Sequence, residues 1–424
     1  MKINLINLKN KFAYILIISL LLQFLKAVTP LYMLTLGSIF IISTLVILTT
    51  KLNKVSISHV SIYYLLFLIS LIFVALNTLL TFSKYEIDLQ SYIIGNIRMW
   101  PLPLLPLFLM GLLSKSKKLE IVINIYILFI FLAAISIYLQ HFLGEFEFFS
   151  QSYDKRRMGY ENKIDGFASL TGNVTTYGAS FYSAIIFIFF HKLNLPLLKS
   201  ILISAILGAA ILTMSKTGLV MAMLVALIIF ILSISYKYYR LILYLIIIGL
   251  IGSMVFYEYF VAAFITMFVN TFGIEIYNVS ISTTTQWQDF LPRVTDRIFG
   301  VFFMATFADY TLYEKIFGIG LFGGGGAFGF KSGTSHNSFL DLYSMGGVII
   351  IFPFLALFLK VQIELFKSYR KNMGELYLAF FISNCFLFLL YNVNNGAVFH
   401  PAISIPFWCS IYFLMHYNKK KHLN

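Results

Sequence analysis

The chain is 424 residues long, 60% hydrophobic and only 11% charged, with a mean hydropathy of +0.87. Soluble domains carry about 45–50% apolar and about 25% charged residues, so a water-soluble globular class is excluded. The net charge of +14 sits in short Lys/Arg clusters between apolar runs, which is the pattern of cytoplasmic loops and excludes nucleic acid as the partner.

Taken in order, a basic start with Lys2, Lys9 and Lys11 precedes an apolar run, Phe12 to Val28, that lacks a small-residue cleavage pattern and reads as a retained first span. Runs of spanning length follow at Leu31 to Thr49, Val60 to Phe82, Tyr92 to Leu113, Ile121 to Leu143 and Val174 to His191. Six more lie at Ile201 to Met214, Gly218 to Ser235, Leu241 to Tyr259, Phe339 to Leu359, Leu376 to Val393 and Ala402 to His416. The predicted fold is all-α: a polytopic membrane protein of about 12 transmembrane helices, one integral membrane domain over residues 1–424.

Orientation follows from charge. With both termini cytoplasmic, the inner segments hold 19 of the 31 Lys and Arg against three acids, and the outer segments hold 11 against 13. This obeys the positive-inside bias. Two outer segments exceed a turn: residues 144–173, the smaller loop, and residues 260–338, a large loop between spans nine and ten. Within the larger, Ile298 to Ala308 is too short to cross a bilayer and reads as a surface helix. Cys385 and Cys409 lie inside apolar runs and read as core residues rather than a disulfide or metal pair.

The candidate chemistry gathers at the outer face. Lys216 lies in MSKTG between two short spans, Arg293 and Arg297 in QWQDFLPRVTDR, and His336 at the end of the large loop. Arg98 lies inside a span, in NIRMWPLPLLP, where three prolines argue against a regular helix. At membrane depth an Arg costs about 2.5–3.5 kcal/mol on insertion scales, so Arg98 faces the bundle interior or snorkels outward. Clustered cations at such a face suit an anionic ligand, and a lipid-linked pyrophosphate fits. The alternative is that each pairs with a loop acid such as Asp289, Asp296 or Asp309.

His336 follows SGTS, precedes Asn337 and has Asp341 five residues on. Neutral imidazole can accept a proton from a sugar hydroxyl, and a carboxylate could orient it; a hydrogen-bonded structural histidine is the other reading. Gly323 to Gly326 lack the Lys-Ser/Thr of a nucleotide loop and read as a hinge or a close backbone approach. No metal-ligand spacing occurs, and no cofactor is expected.

Together these motifs resemble the O-antigen polymerase and O-antigen ligase superfamily of bacterial envelope glycosyltransferases. The resemblance rests on LTGNVTTYG before a span (Leu170 to Gly178, including Asn173), TMSKTGLVMAMLV (Thr213 to Val225), an Arg some twenty residues ahead of IFGIG (Gly318, Gly320), and HNSFLDLYSMGG opening a span. The last matches the family pattern at His336, Asn337, Leu340 and Gly346. The first 165 residues carry no matching motif.

The resemblance implies a GT-C-like, metal-independent inverting transferase in the bacterial inner membrane, with its active site facing the periplasm. Its donor would be an undecaprenyl-pyrophosphate-linked oligosaccharide, and a chain-length regulator protein would be a partner beside the membrane lipid. The family's pyrophosphate-contacting arginine maps to Arg297, with Arg293 the rival; the family's other Arg is here Lys216, which keeps the charge but loses the bidentate fork. The expected activity is polymerase. The alternatives are a ligase acting on lipid A-core and a polysaccharide flippase or transporter, against which stand the missing internal repeat and the large outer loop.

Overall fold

The structure is a computed structural model that describes residues 5–22, 59–80, 89–113, 118–143, 156–158, 164–167, 170, 174–191, 195–213, 215–258, 261, 310–320, 337–391 and 397–421. These are helical throughout, apart from turns and one small antiparallel hairpin, β1 (Arg156–Met158) with β2 (Ile164–Gly166). Four helices among the described residues are long and apolar enough to cross a membrane: Val60–Leu80, Leu119–Leu143, Thr217–Ser235 and Ser338–Arg370. Shorter apolar helices accompany them.

The chain forms two compact units. The first, residues 1–20, 36–122 and 294–424, contains α1 (Leu5–Leu21), α2 (His59–Leu80), α3 (Leu89–Met99) and α4 (Pro101–Leu112). It also contains the late helices. The second, residues 21–35 and 123–293, contains α5 (Lys118–Leu143) from Ile123 onward, the hairpin, α6 (Val174–Gly178), α7 (Phe181–Phe190), α8 (Pro196–Leu212), α9 (Lys216–Ser235) and α10 (Tyr239–Val255). The first unit continues with α11 (Leu312–Phe317), α12 (Ser338–Arg370), α13 (Glu375–Tyr391) and α14 (Pro401–Lys421).

In the first unit α2 packs most extensively on α12, and α4 on α14. The seam is aromatic: Phe354 of α12 lies 5.4 Å from Phe67, 5.9 Å from Tyr391 and 6.0 Å from Phe407, ring centre to ring centre. Such offset and tilted pairs each add about 0.5–1.5 kcal/mol beyond the area they bury. The opposite face of α2 leaves Leu65, Leu66, Ile72 and Phe73 exposed. A helix apolar all round is what a bilayer surface requires.

Three apolar runs are interrupted. The run Tyr92 to Leu113 divides at Trp100 into α3 and α4. Here the expectation from the prolines is corrected: Pro101 takes the first turn of α4, where its missing N–H is no loss, and Pro106 lies inside the helix. The Trp100 N–H still donates to the Asn96 carbonyl at 3.1 Å, and its Nε1–H to Asn96 Oδ1 at 3.0 Å. The run Val174 to His191 divides between α6 and α7, where the Tyr126 hydroxyl donates to the Ser180 carbonyl at 2.9 Å. The third interruption lies at Gly347 of α12.

Within the second unit α10 packs on α8, and α9 on α6. Lys199 is buried, yet its ammonium donates to the Phe189 carbonyl at 3.0 Å. A cation on the last carbonyls of α7 satisfies an orphan acceptor and complements the helix dipole.

Candidate functional site

The region that the sequence singles out begins with a small helix. Thr311 caps α11 in a capping box: its hydroxyl accepts from the Glu314 N–H at 3.3 Å, and the Glu314 carboxylate accepts from the Thr311 N–H at 2.8 Å. Just upstream, burial pushes the Tyr310 phenol above its ordinary range, and the Glu314 charge adds to that. The helix ends at Gly318, whose φ of +74° strains any side chain.

Beyond Gly318 the backbone runs against α12. The Ile319 N–H donates to the Ser344 carbonyl at 2.8 Å and the Gly320 N–H to the Met345 carbonyl at 3.0 Å. These carbonyls lie just before the break at Gly347, whose φ of +57° and ψ of −148° are non-helical. A broken helix leaves acceptors without their intrahelical donors, and the Ile319–Gly320 segment supplies replacements.

The fit depends on missing side chains. A Cβ on Gly318 would lie 2.4 Å from the Gly346 nitrogen, and one on Gly347 would lie 2.4 Å from the Ile316 carbonyl oxygen. On Gly346 it would meet Val74 at 2.4 Å, and on Gly320 the Thr78 hydroxyl at 2.8 Å. The glycines of IFGIG and SMGG are thus required by close backbone approach, on one side against each other and on the other against α2.

From α2, the Asn77 amide donates to the carbonyls of Phe317 at 3.1 Å and Gly318 at 3.2 Å, while its oxygen accepts from the Tyr313 hydroxyl at 2.6 Å. Asn77, Thr78 and Tyr313 were not among the candidates read from sequence. The signal was present: an Asn and a Thr inside the apolar run Val60 to Phe82 need partners at membrane depth.

At the head of α12 stands Asn337. Its side-chain oxygen accepts from the N–H groups of Phe339 at 2.9 Å and Leu340 at 3.2 Å, making it the N-cap. Asp341 lies in the first turn, 3% exposed, with its N–H donating to the Asn337 carbonyl at 3.0 Å. A carboxylate there is stabilised by the positive end of the helix dipole. Both residues therefore hold the start of α12.

The second unit pairs two further stretches of the resemblance in the same manner. Ser215 caps α9, accepting from the Gly218 N–H at 3.4 Å, and this places Lys216 at the first helical position. Gly178 at the end of α6 faces Gly218, and a Cβ on Gly178 would stand 2.8 Å from the Gly218 Cα. So LTGNVTTYG and MSKTG meet glycine to glycine.

Of the other expected site residues, Arg98 lies on α3 in the first unit. His336, Arg293, Arg297 and Asn173 lie outside the described residues, as do the Gly323–Gly326 turn and the stretch Ile298 to Ala308. Among the described residues no three His, Cys, Asp or Glu side chains gather to hold a metal ion. Comparison with protein-family models and with curated proteins finds no match for the chain.

Proposed function

We propose that this chain is a membrane glycosyltransferase of the O-antigen polymerase class, with twelve spans, cytoplasmic termini and a periplasm-facing site in the bacterial inner membrane. The observation that carries the reading is the pairing of its motif stretches: IFGIG is hydrogen-bonded to SMGG, and LTGNVTTYG is packed on MSKTG. Stretches separated in sequence, on which the resemblance also draws, form two joints in the fold.

In this reading the acceptor sugar hydroxyl of a new lipid-linked repeat attacks the anomeric carbon of the growing glycan from the face opposite its pyrophosphate. The anomeric C–O bond breaks, undecaprenyl pyrophosphate leaves, and the hydroxyl proton passes to the His336 imidazole. The leaving group is already good, so the protein's task is to neutralise its growing charge and to orient the acceptor. Arg297, or its neighbour Arg293, takes the pyrophosphate through a guanidinium fork. Asp341 and Asn337 fix the helix start that follows His336. No metal is required, and a chain-length regulator is the partner such a polymerase would take.

One observation favours a transporter: a helix interrupted inside its apolar stretch, as α12 is at Gly347, is common in transporters. In those proteins the freed backbone groups face the cargo, whereas here the Ser344 and Met345 carbonyls accept from Ile319 and Gly320. The interruption therefore serves internal pairing. Incubating the purified protein with lipid-linked repeat units alone decides the matter. A ladder of longer lipid-linked glycans is the expected result; product only on adding lipid A-core makes the chain a ligase, and passage across vesicles without elongation makes it a transporter.

A further inference from the structure

We propose that the cleft between α8, α9 and α10 binds an anionic phospholipid, with an acyl chain laid along the cleft and the phosphate held by Lys237 and Arg240. This site is independent of the reaction proposed above. The cleft lies wholly within the second unit, where it is lined from Ile201 to Leu212 on α8, from Ala226 to Phe230 on α9 and from Ile242 to Phe256 along and just past α10. Its volume is about 590 Å³, within the range of about 300–1,000 Å³ typical of small-molecule sites, and its lining is almost entirely apolar. Phe230 and Ile246 line it yet remain about half exposed, so it opens sideways to the surface.

Two glycines of α10 keep the cleft clear. Glycine weakens a helix relative to alanine, and at Gly347 that weakness serves a close approach of backbone. Around Gly249 and Gly252, in contrast, nothing stands within 4 Å of where a Cβ would be. No neighbour requires their bareness; what it preserves is open space beside α10 for a chain to occupy.

The two ends of the cleft differ in charge. At one, α9 passes to α10 through a tight turn: the Tyr238 N–H donates to the Ser233 carbonyl at 2.7 Å and the Lys237 N–H to the Ile234 carbonyl at 3.0 Å. This pair of bonds closes a helix on a left-handed residue, a place that glycine usually fills. Here it is Lys237, with φ +58°. Among the described residues only Asn372 shares such a φ without being glycine, and asparagine tolerates it. A lysine kept in a strained conformation points to a use for its ammonium. Arg240 follows in the first turn of α10, two residues and about 3 Å of helix rise before the lining residue Ile242. Both side chains are exposed, and no acid among the described residues pairs with either.

At the far end the sign reverses, because Glu258 stands exposed two residues past Phe256. An anionic headgroup is therefore matched at the Lys237 and Arg240 end, which the charge bias of the loops assigns to the cytoplasmic leaflet. Basic sites between helices on that side are where anionic headgroups settle. A guanidinium fork and an ammonium suit the two free oxygens of a phosphodiester. From Ile242 to Phe256 the cleft follows about 21 Å of helix rise. One leaflet's share of the hydrocarbon core is about 15 Å, so an acyl chain anchored at the basic end lies within the cleft.

The test is lipid binding by the full-length protein, delipidated in neutral detergent, titrated with dioleoyl phosphatidylglycerol or dioleoyl phosphatidylcholine and read by native mass spectrometry. The unmutated protein should hold phosphatidylglycerol about tenfold more tightly or better, the scale of two interfacial cations. Lys237→Gly combined with Arg240→Gln should remove that preference, while the lipid-free melting temperature stays level or rises because glycine relieves the strain at residue 237. Gly252→Leu, which fills the cleft with a better helix former, should weaken phosphatidylglycerol binding by a similar factor. Equal affinity of the unmutated protein for the two lipids overturns the proposal. So does a preference that survives the loss of both cations, which would leave Lys237 serving the dipole of α9 alone. Full binding by Gly252→Leu puts the acyl chain outside the cleft and overturns it too, and displacement of phosphatidylglycerol by equimolar undecaprenyl diphosphate would give the cleft to the donor's tail instead.

Discussion

The Ile319 N–H reaches the Ser344 carbonyl at 2.8 Å, and through that bond a loop segment completes the hydrogen bonding of an interrupted membrane helix. The geometry leaves no room for a side chain at Gly347. Gly347→Ala should destabilise the protein by at least about 2 kcal/mol, the sum of a strained positive φ and an overlap with the Ile316 carbonyl. Gly249→Ala, in a helix with open space around it, should be neutral or stabilising by up to about 1 kcal/mol. Reversible unfolding in mixed detergent measures both, and equal effects would remove the close approach as the cause.

Asn77 serves three partners at once. Asn77→Leu leaves the Phe317 and Gly318 carbonyls and the Tyr313 hydroxyl unanswered, at an expected cost of about 2–3 kcal/mol. Adding Tyr313→Phe should recover part of the loss, because the orphaned phenol goes with it. A double-mutant cycle reads the coupling, and strict additivity of the two losses would rule the Tyr313 bond out as a stabilising contact.

Asn337→Ala should lower stability by about 1 kcal/mol, as loss of an N-cap does, whereas Asn337→Ser and Asn337→Asp should retain most of it. Polymer formation should follow the same order. A serine variant that is fully stable yet inactive would instead make Asn337 a substrate contact.

The proposed transfer chemistry makes separate demands. His336→Ala should lose activity by about 10² or more, the scale of a positioned acid–base group, without losing donor binding. Arg297→Ala should abolish polymer formation in folded protein, Arg297→Lys should restore only part, and Lys216→Arg should be tolerated. Normal chain formation by Arg297→Ala moves the role to Arg293.

Topology can be tested at one position. Ser282→Cys lies in the large loop that charge asymmetry places outside. A membrane-impermeant thiol reagent should label it in intact spheroplasts, and labelling only after the membrane is opened would invert the orientation.

Much of the helix content was legible because a 20-residue apolar run has few alternatives in a bilayer, and Val60 to Phe82 and Ile121 to Leu143 appear almost as read. Interruptions were less legible. Nothing in the apolarity of Phe339 to Leu359 betrays the break at Gly347, which depends on carbonyl partners contributed by residues 319 and 320. The prolines after Trp100 misled in the opposite sense, since local rules count a missing donor without knowing where the helix begins. At the site, the glycines of IFGIG and SMGG stood out, but their reason lies in pairwise approach. The cap role of Asn337 follows from its position before an apolar run, although His336 beside it drew the functional reading.

The bonds of Asn77 join residues 240 positions apart, and this gap has a bearing on synthesis. Chains leave the ribosome at about 5–20 residues per second, so α2 enters the bilayer many seconds before Phe317 exists. Throughout that interval its amide has none of its late partners, whereas the Thr78 hydroxyl already donates to the Val74 carbonyl within α2, and a nascent helix holding an unpaired amide in hydrocarbon needs temporary shelter. The insertion machinery, or an early neighbouring helix, must chaperone α2 until α11 arrives. Cells short of that assistance should degrade this protein at the stage before α11 emerges.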